Sequence, residues 1–207
     1  MRINPDNSVQ VWDRFVRFFH WALVAAFAIA YLYTDSRLVH MAAGYATLAL
    51  VTARVVWGFK GSPAARFSNF VPTPRRLWRY LRAAVKGREP RHLGHNPAGA
   101  AMILFLMTAV TVIGVTGFLM GTDTYWGNEA LEDLHVWTVD ATLVAVAVHV
   151  SANIYASWHH QENLIQSMLT GDKPIDVPGH PLIGPTSPQF QPSEQAGPRS
   201  LKESEQA

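Results

Sequence analysis

The chain has 207 residues, 49% of them apolar and 15% charged, with a formal net charge of +2; that length has room for one membrane domain. Cysteine is absent, which excludes disulfides, thiolate metal sites, iron–sulfur clusters and thioether-linked cofactor attachment through C-x-x-C-H. Any metal must rest on histidine or carboxylate. Mean hydropathy just above zero averages four long apolar blocks with heavily charged connections.

A helix needs about 20 mostly apolar residues to cross the hydrocarbon core, and four blocks meet that length. Following an N-terminal segment at 1–13, the first runs over about 14–34. It contains His20 and ends in Tyr-Leu-Tyr-Thr without a small-residue cleavage site, so it reads as a span and not as a signal peptide. The second, about 38–59, begins near His40 and carries Gly44 and Arg54. In the basic connection that follows, Leu77, Trp78, Leu81 and Val85 share a helical face away from Arg75, Arg79 and Arg82. This pattern predicts a short interfacial helix over Pro74 to Val85, lying on anionic lipid. The third block, about 97–120, opens with Pro97 at a helix start and contains Gly114 and Gly117. The loop from Gly121 to Asp133 has no basic residue but carries Asp123, Glu129, Glu132 and Asp133. The fourth block, about 134–157, holds His135, Asp140 and His149. From Gly171 onward Pro, Gly, Ser and Gln dominate without apolar periodicity, which predicts a disordered tail over 171–207 behind a membrane domain at 14–170.

Lys and Arg collect in the N-terminal segment, the 60–96 connection and the tail. The positive-inside rule therefore puts both termini in the cytoplasm, and the basic balance needs no nucleic acid to explain it.

Nine histidines occur, and an ionisable residue inside a span is a site candidate by default. His135 and His149 are fourteen residues apart, which returns them to one helix face within about 40° and separates them by about 21 Å along the axis. In the assigned orientation His40 lies level with His135 and His20 level with His149, giving one cross-helix pair per leaflet. Zinc and copper sites gather three or four ligands at a point, and no depth here supplies a third histidine. Haem iron needs only two axial ligands from opposite sides, and bis-histidine ligation leaves no open position, which favours electron transfer. The expectation is an all-α four-transmembrane-helix bundle enclosing two haems. Gly44, Gly114 and Gly117 would let a macrocycle approach the backbone or, alternatively, pack helices closely. Phe19, Trp21 and Trp137 would line haem pockets or form interfacial belts.

Quoted in order, VWDRFVRFFHW (11–21), HMAAGYATLALVTARVVWGFKG (40–61), ARFSNFV (65–71), LGHNPAGA (93–100), LHVWTVDATLVAVAVHV (134–150) and HHQENLIQSMLTGDK (159–173) resemble the bacterial cytochrome b561 family. That family includes the b-type cytochrome subunits of nickel–iron hydrogenases. The resemblance implies a diheme protein of the bacterial inner membrane that exchanges electrons between the quinone pool and a redox partner, with His20 paired to His149 and His40 to His135.

The remaining polar residues carry paired readings. Arg54 would hold a haem propionate or a quinone oxygen, or else snorkel to the cytoplasmic boundary; Arg17 has the same two readings. Asp140 would bond a ligand histidine or relay a proton, or simply face the polar end of its span. His95 and Asn96 would open the third helix or bond a quinone. His159 and His160, with Glu162 and Asn163 behind them, read as solvated rather than metal-binding, and His92 and His180 carry no readable role. The acidic loop suits a basic periplasmic partner such as a cytochrome c; the alternative partner is a hydrogenase or other dehydrogenase that this chain anchors. A haem-free histidine-containing transporter would need broken helices or inverted repeats, and a purely structural subunit would use its histidines in packing alone.

Overall fold

The computed structural model describes residues 8–175 and the short strand at 182–183. Four long helices dominate: α1 (Arg14–Leu32), α2 (Arg37–Lys60), α5 (Pro97–Met120) and α6 (Glu129–His159). Between α2 and α5 lie α3 (Phe67–Phe70), α4 (Pro74–Val85) and β2 (Arg91–His92). β1 (Ser8–Gln10) precedes α1, and α7 (Leu164–Thr170), β3 (Asp172–Pro174) and β4 (Leu182–Ile183) follow α6. All four long helices are long and apolar enough to span a bilayer.

The helix starts follow from their caps. Asp13, Asn96, Asn128 and Asn163 each accept a hydrogen bond from the backbone N–H three residues on, at 2.7–3.0 Å, which satisfies donors a helix otherwise leaves bare. Asn128 starts α6 five residues before the expected 134. Glu129, Glu132 and Asp133 therefore stand on the first helical turns instead of in a loop, where acids complement the helix dipole. Within the spans Thr52, Thr108, Thr111, Thr138 and Thr142 donate to the carbonyl four residues back, so their hydroxyls are satisfied inside the helix, as lipid requires. Outward faces are apolar, with Phe18, Leu32, Leu38 and Phe59 well exposed, which hydrocarbon as solvent accounts for.

α1 packs along α2, α5 along α6, and α2 against α5. Phe19, Val51 and Val110 form the buried centre of the α1–α2–α5 contact. α6 has no comparable packing on α1 or α2.

At one end of the bundle the chain is clasped. β1 pairs antiparallel with β3, and Val9, Val11, Trp12 and Leu93 form a second small core. β2 pairs parallel with β4. Arg91 donates to Glu162 through Nε (3.0 Å) and Nη2 (2.8 Å), while Lys173 reaches the other carboxylate oxygen at 3.0 Å. All three side chains are at most 4% exposed. The tail expected to lose structure at Gly171 is corrected here. Gly171 adopts φ +94°, its carbonyl accepts from Val11 and Trp12, and Asp172–Pro174 form a strand with Lys173 buried. Leu182–Ile183, also within the expected tail, form β4 against β2, while His180 and the tail's other residues after 175 lie outside the described residues.

Candidate functional site

The two outer histidines come together. His40, in the first turns of α2, and His135, near the start of α6, have ring centres 6.3 Å apart at 62°. Two imidazoles holding one metal from opposite sides through bonds of about 2 Å have ring centres roughly 6 Å apart, so the separation suits a shared ion. Their hydrogen bonds fix the tautomer. His40 Nδ1 lies 2.8 Å from the Ala30 carbonyl, which can only accept, so Nδ1 carries the proton. His135 Nδ1 lies 2.9 Å from Thr116 Oγ1. That hydroxyl already donates to the backbone carbonyls of Val112 or Ile113, so it accepts from His135. Each ring thus keeps the Nε2 lone pair free for a metal, with its other nitrogen held by an acceptor, the usual arrangement of metal-ligating histidine.

The glycines divide by role. A Cβ on Gly44, one turn past His40, would meet nothing within 4 Å, so α2 presents open space there. A Cβ on Gly117 would come 3.2 Å from His135 Cε1, and one on Gly114 3.0 Å from Leu48. Gly117 therefore makes room for the ligand-type ring, and Gly114 serves close helix packing.

The inner pair is looser. His20 and His149 lie within electrostatic range of each other, and His20 Nδ1 is sealed from solvent without a partner among the described residues. Asn153, one turn beyond His149, donates to its carbonyl at 2.7 Å and sits 3.4 Å from both ring nitrogens. These two histidines stand on α1 and α6, the helices that do not close on each other.

Arg54 is 3% exposed, which overturns the snorkelling alternative. Nη2 donates to the Ala65 carbonyl at 3.1 Å, the guanidinium lies 5.3 Å over the Phe67 ring, and Nη1 has no partner among the described residues. Nη1 is thus a spare donor on a buried cation whose nearby counter-charge is Asp13. Arg17 donates through Nη1 to the Leu169 carbonyl, so it is tied to α7 instead of snorkelling. Asp13, beside Arg54, accepts from Val16 N, Trp57 Nε1 and Ser62 Oγ. Burial works against its charge, yet those bonds and the nearby Arg54 hold its carboxyl below the ordinary range. His95 is wedged between Trp12 and Phe70, ring centres 4.5 and 4.7 Å away. Burial, with Arg54 and Lys173 nearby, pushes it down to about 3, so it is neutral.

Other expected residues fall elsewhere. Asp140 is exposed and His135 already has Thr116, so Asp140 bonds no ligand ring. Asn96 is occupied as the α5 cap. Phe19 is buried in the helix core, Trp137 is exposed on the outside, and Trp21 donates to the Met168 carbonyl at 3.3 Å while its ring meets His20 edge-on at 5.0 Å. His159 lies 3.6 Å from Glu89 and stacks on Tyr155. Glu162 is buried in the clasp instead of solvated, and no group of three or more metal-type ligands forms among the described residues. His92 Nδ1 bonds the Pro90 carbonyl at 2.8 Å. Sequence reasoning missed Thr116, Asn153 and the Ala30 carbonyl. The first two were polar residues in apolar spans, a usable signal; a backbone carbonyl leaves none.

The family model described as prokaryotic cytochrome b561 matches residues 11–171. The chain belongs to this family. It is therefore a multi-pass membrane electron-transfer cytochrome, and haem b is the group that a cytochrome b561 binds. Curated relatives agree: a probable Ni/Fe-hydrogenase B-type cytochrome subunit of Azotobacter vinelandii is 24% identical, over 82% of this chain and 90% of its own. Its namesakes in Bradyrhizobium diazoefficiens (26%; 80% and 86%) and Rhizobium leguminosarum bv. viciae (25%; 81% and 89%) are similar. The residues of this b561 cytochrome fit the group: two imidazoles with free Nε2 atoms, open space at Gly44, and a buried guanidinium with an unused donor.

Proposed function

We propose that the chain is a diheme b-type cytochrome passing electrons between the quinone pool and a redox partner protein. The observation that carries this reading is the His40–His135 pair, with matched spacing and both Nδ1 atoms bound to acceptors. His40 and His135 would hold the outer haem, and His20 and His149 the inner one. Gly44 would leave room for a flat macrocycle beside His40, and the free Arg54 Nη1 would be available to an acidic substituent of the inner group, whose charge is otherwise expensive at that depth. Haem b supplies a one-electron carrier at each level. The protein's share is to hold ligand tautomers, exclude water with apolar helices and balance propionate charge.

Both termini lie in the cytoplasm of a bacterial inner-membrane protein. The charge bias of the connections supports this, as does the β1–β3 pairing, which brings the chain before the first span and after the last to one side. The opposite end carries Asp123, Glu129, Glu132 and Asp133, which suits a basic redox partner such as a cytochrome c. A second reading, as the membrane anchor and electron-transfer subunit of a hydrogenase or other dehydrogenase, is favoured by the names of the relatives.

The test is a reduced-minus-oxidised visible spectrum of the detergent-purified protein with pyridine haemochrome quantification. Two haems b per chain are expected, falling to one in His149→Ala and in His40→Ala. A folded protein with one haem overturns the diheme reading. Reduction of the bound haem by added quinol tests the quinone assignment separately, and co-purification of a dehydrogenase distinguishes the two partner readings.

A further inference from the structure

Helix α4 is three-sided. At about 100° per residue, Arg76, Leu77, Tyr80, Ala83 and Ala84 share one sector, and all five are half-buried. This sector packs on the bundle: α4 contacts α5, Tyr80 lies 5.7 Å from the His92 ring, and burial beside Glu89 and Tyr155 pushes its phenol up to about 12. A second sector holds Trp78, Leu81 and Val85, exposed by 57%, 38% and 90%. A third holds Arg75, Arg79, Arg82 and Lys86, all exposed, and none of them pairs with an acid among the described residues. Arg82 bridges the last two sectors, its guanidinium 4.9 Å over the Trp78 ring.

We infer that α4 is a seat for anionic phospholipid, with Trp78, Leu81 and Val85 in the acyl boundary and Arg75, Arg79, Arg82 and Lys86 on the headgroups. Each sector separately is costly in water, one for its bare apolar surface and the other for four like charges within three turns. Only a partner that is apolar at one depth and anionic at the next relieves both. A bilayer surface has that layering. The placement agrees, because α4 packs on α5 and its Tyr80 meets His92 just before α5 begins, where a span meets the interface. With the apolar sector turned into the bilayer, the basic sector, about 100° around the axis, falls at headgroup level. The protein-facing sector then turns to the bundle from the other side. A soluble protein partner would have to reproduce this layering against a helix already flanked by membrane.

The chain has no cysteine, so Val85→Cys takes a single environment-sensitive fluorophore in the full-length protein. The labelled protein goes into nanodiscs of phosphatidylcholine with or without phosphatidylglycerol. The expected result is a probe shielded from aqueous iodide and quenched by a nitroxide on the lipid chain. Purified wild-type protein should also retain phosphatidylglycerol several-fold over its share in the membrane. Combined Arg75→Glu, Arg79→Glu, Arg82→Glu and Lys86→Glu should abolish that enrichment while the haem spectrum stays unchanged, which reports that the bundle is intact. Iodide access in every lipid would overturn the proposal. So would enrichment that survives charge reversal, or shielding seen in native membranes but absent from phosphatidylglycerol nanodiscs, which would assign the face to a protein.

Discussion

Thr116 shows how one hydroxyl can decide what a histidine does. Its single hydrogen is committed to its own helix, so toward His135 it can only accept, and the metal-facing nitrogen stays bare. Thr116→Val keeps the shape and removes the acceptor. Under the proposed ligation, haem affinity at the His40–His135 pair should fall roughly 10–100-fold, read as haem occupancy when haem is titrated into depleted protein. The approach of His40 to His135 was legible from spacing, since depth and helix face follow from residue count. Thr116 was not, because it sits nineteen residues from His135 on another helix and nothing in the count joins them. His95 raises a different point. It is neutral in the fold and titrates near the ordinary 6.5 once unfolded, so below pH 6.5 the unfolded chain binds the extra proton and stability falls with pH until about pH 3. The loss should be about 3 kcal/mol by pH 4. His95→Phe, which keeps the aromatic stack with Trp12 and Phe70, should flatten the pH dependence of the melting temperature in detergent over that window.

Among the elements, the spans were the easiest to read, because twenty apolar residues in lipid have little choice but helix. Their ends were harder. α6 begins at Glu129 because Asn128 caps it, a local hydrogen bond that hydropathy does not see. The clasp was hidden for the opposite reason: Arg91, Glu162 and Lys173 each read as solvated charges, and only their mutual arrangement makes burial tolerable. Among the described residues Glu162 is the acid that joins the two buried cations there. Glu162→Ala should therefore cost about 3–5 kcal/mol through the charges it strands, measured as unfolding in detergent with increasing dodecyl sulfate. Most of that penalty should disappear when Arg91 and Lys173 are also replaced by apolar residues.

Over the whole molecule, the helices form two hairpins joined through α2 and α5, with α1 and α6 each packed along one neighbouring span. Haem removal should consequently leave α2 and α5 protected while amide exchange rises along α1 and α6, a pattern that hydrogen-exchange mass spectrometry resolves by peptide; uniform loosening of all four helices would contradict it. Neither hydropathy nor histidine spacing predicted this division, since both describe helices one at a time. The β1–β3 pairing adds a matter of timing. Ser8–Gln10 are among the first described residues to leave the ribosome, yet their strand partner is made only after the last span. While the four spans are being made the leading strand edge waits unpaired and Arg91 lacks its acid, so a nascent chain stalled inside α6 carries a mark of incompleteness at the clasped end of the bundle.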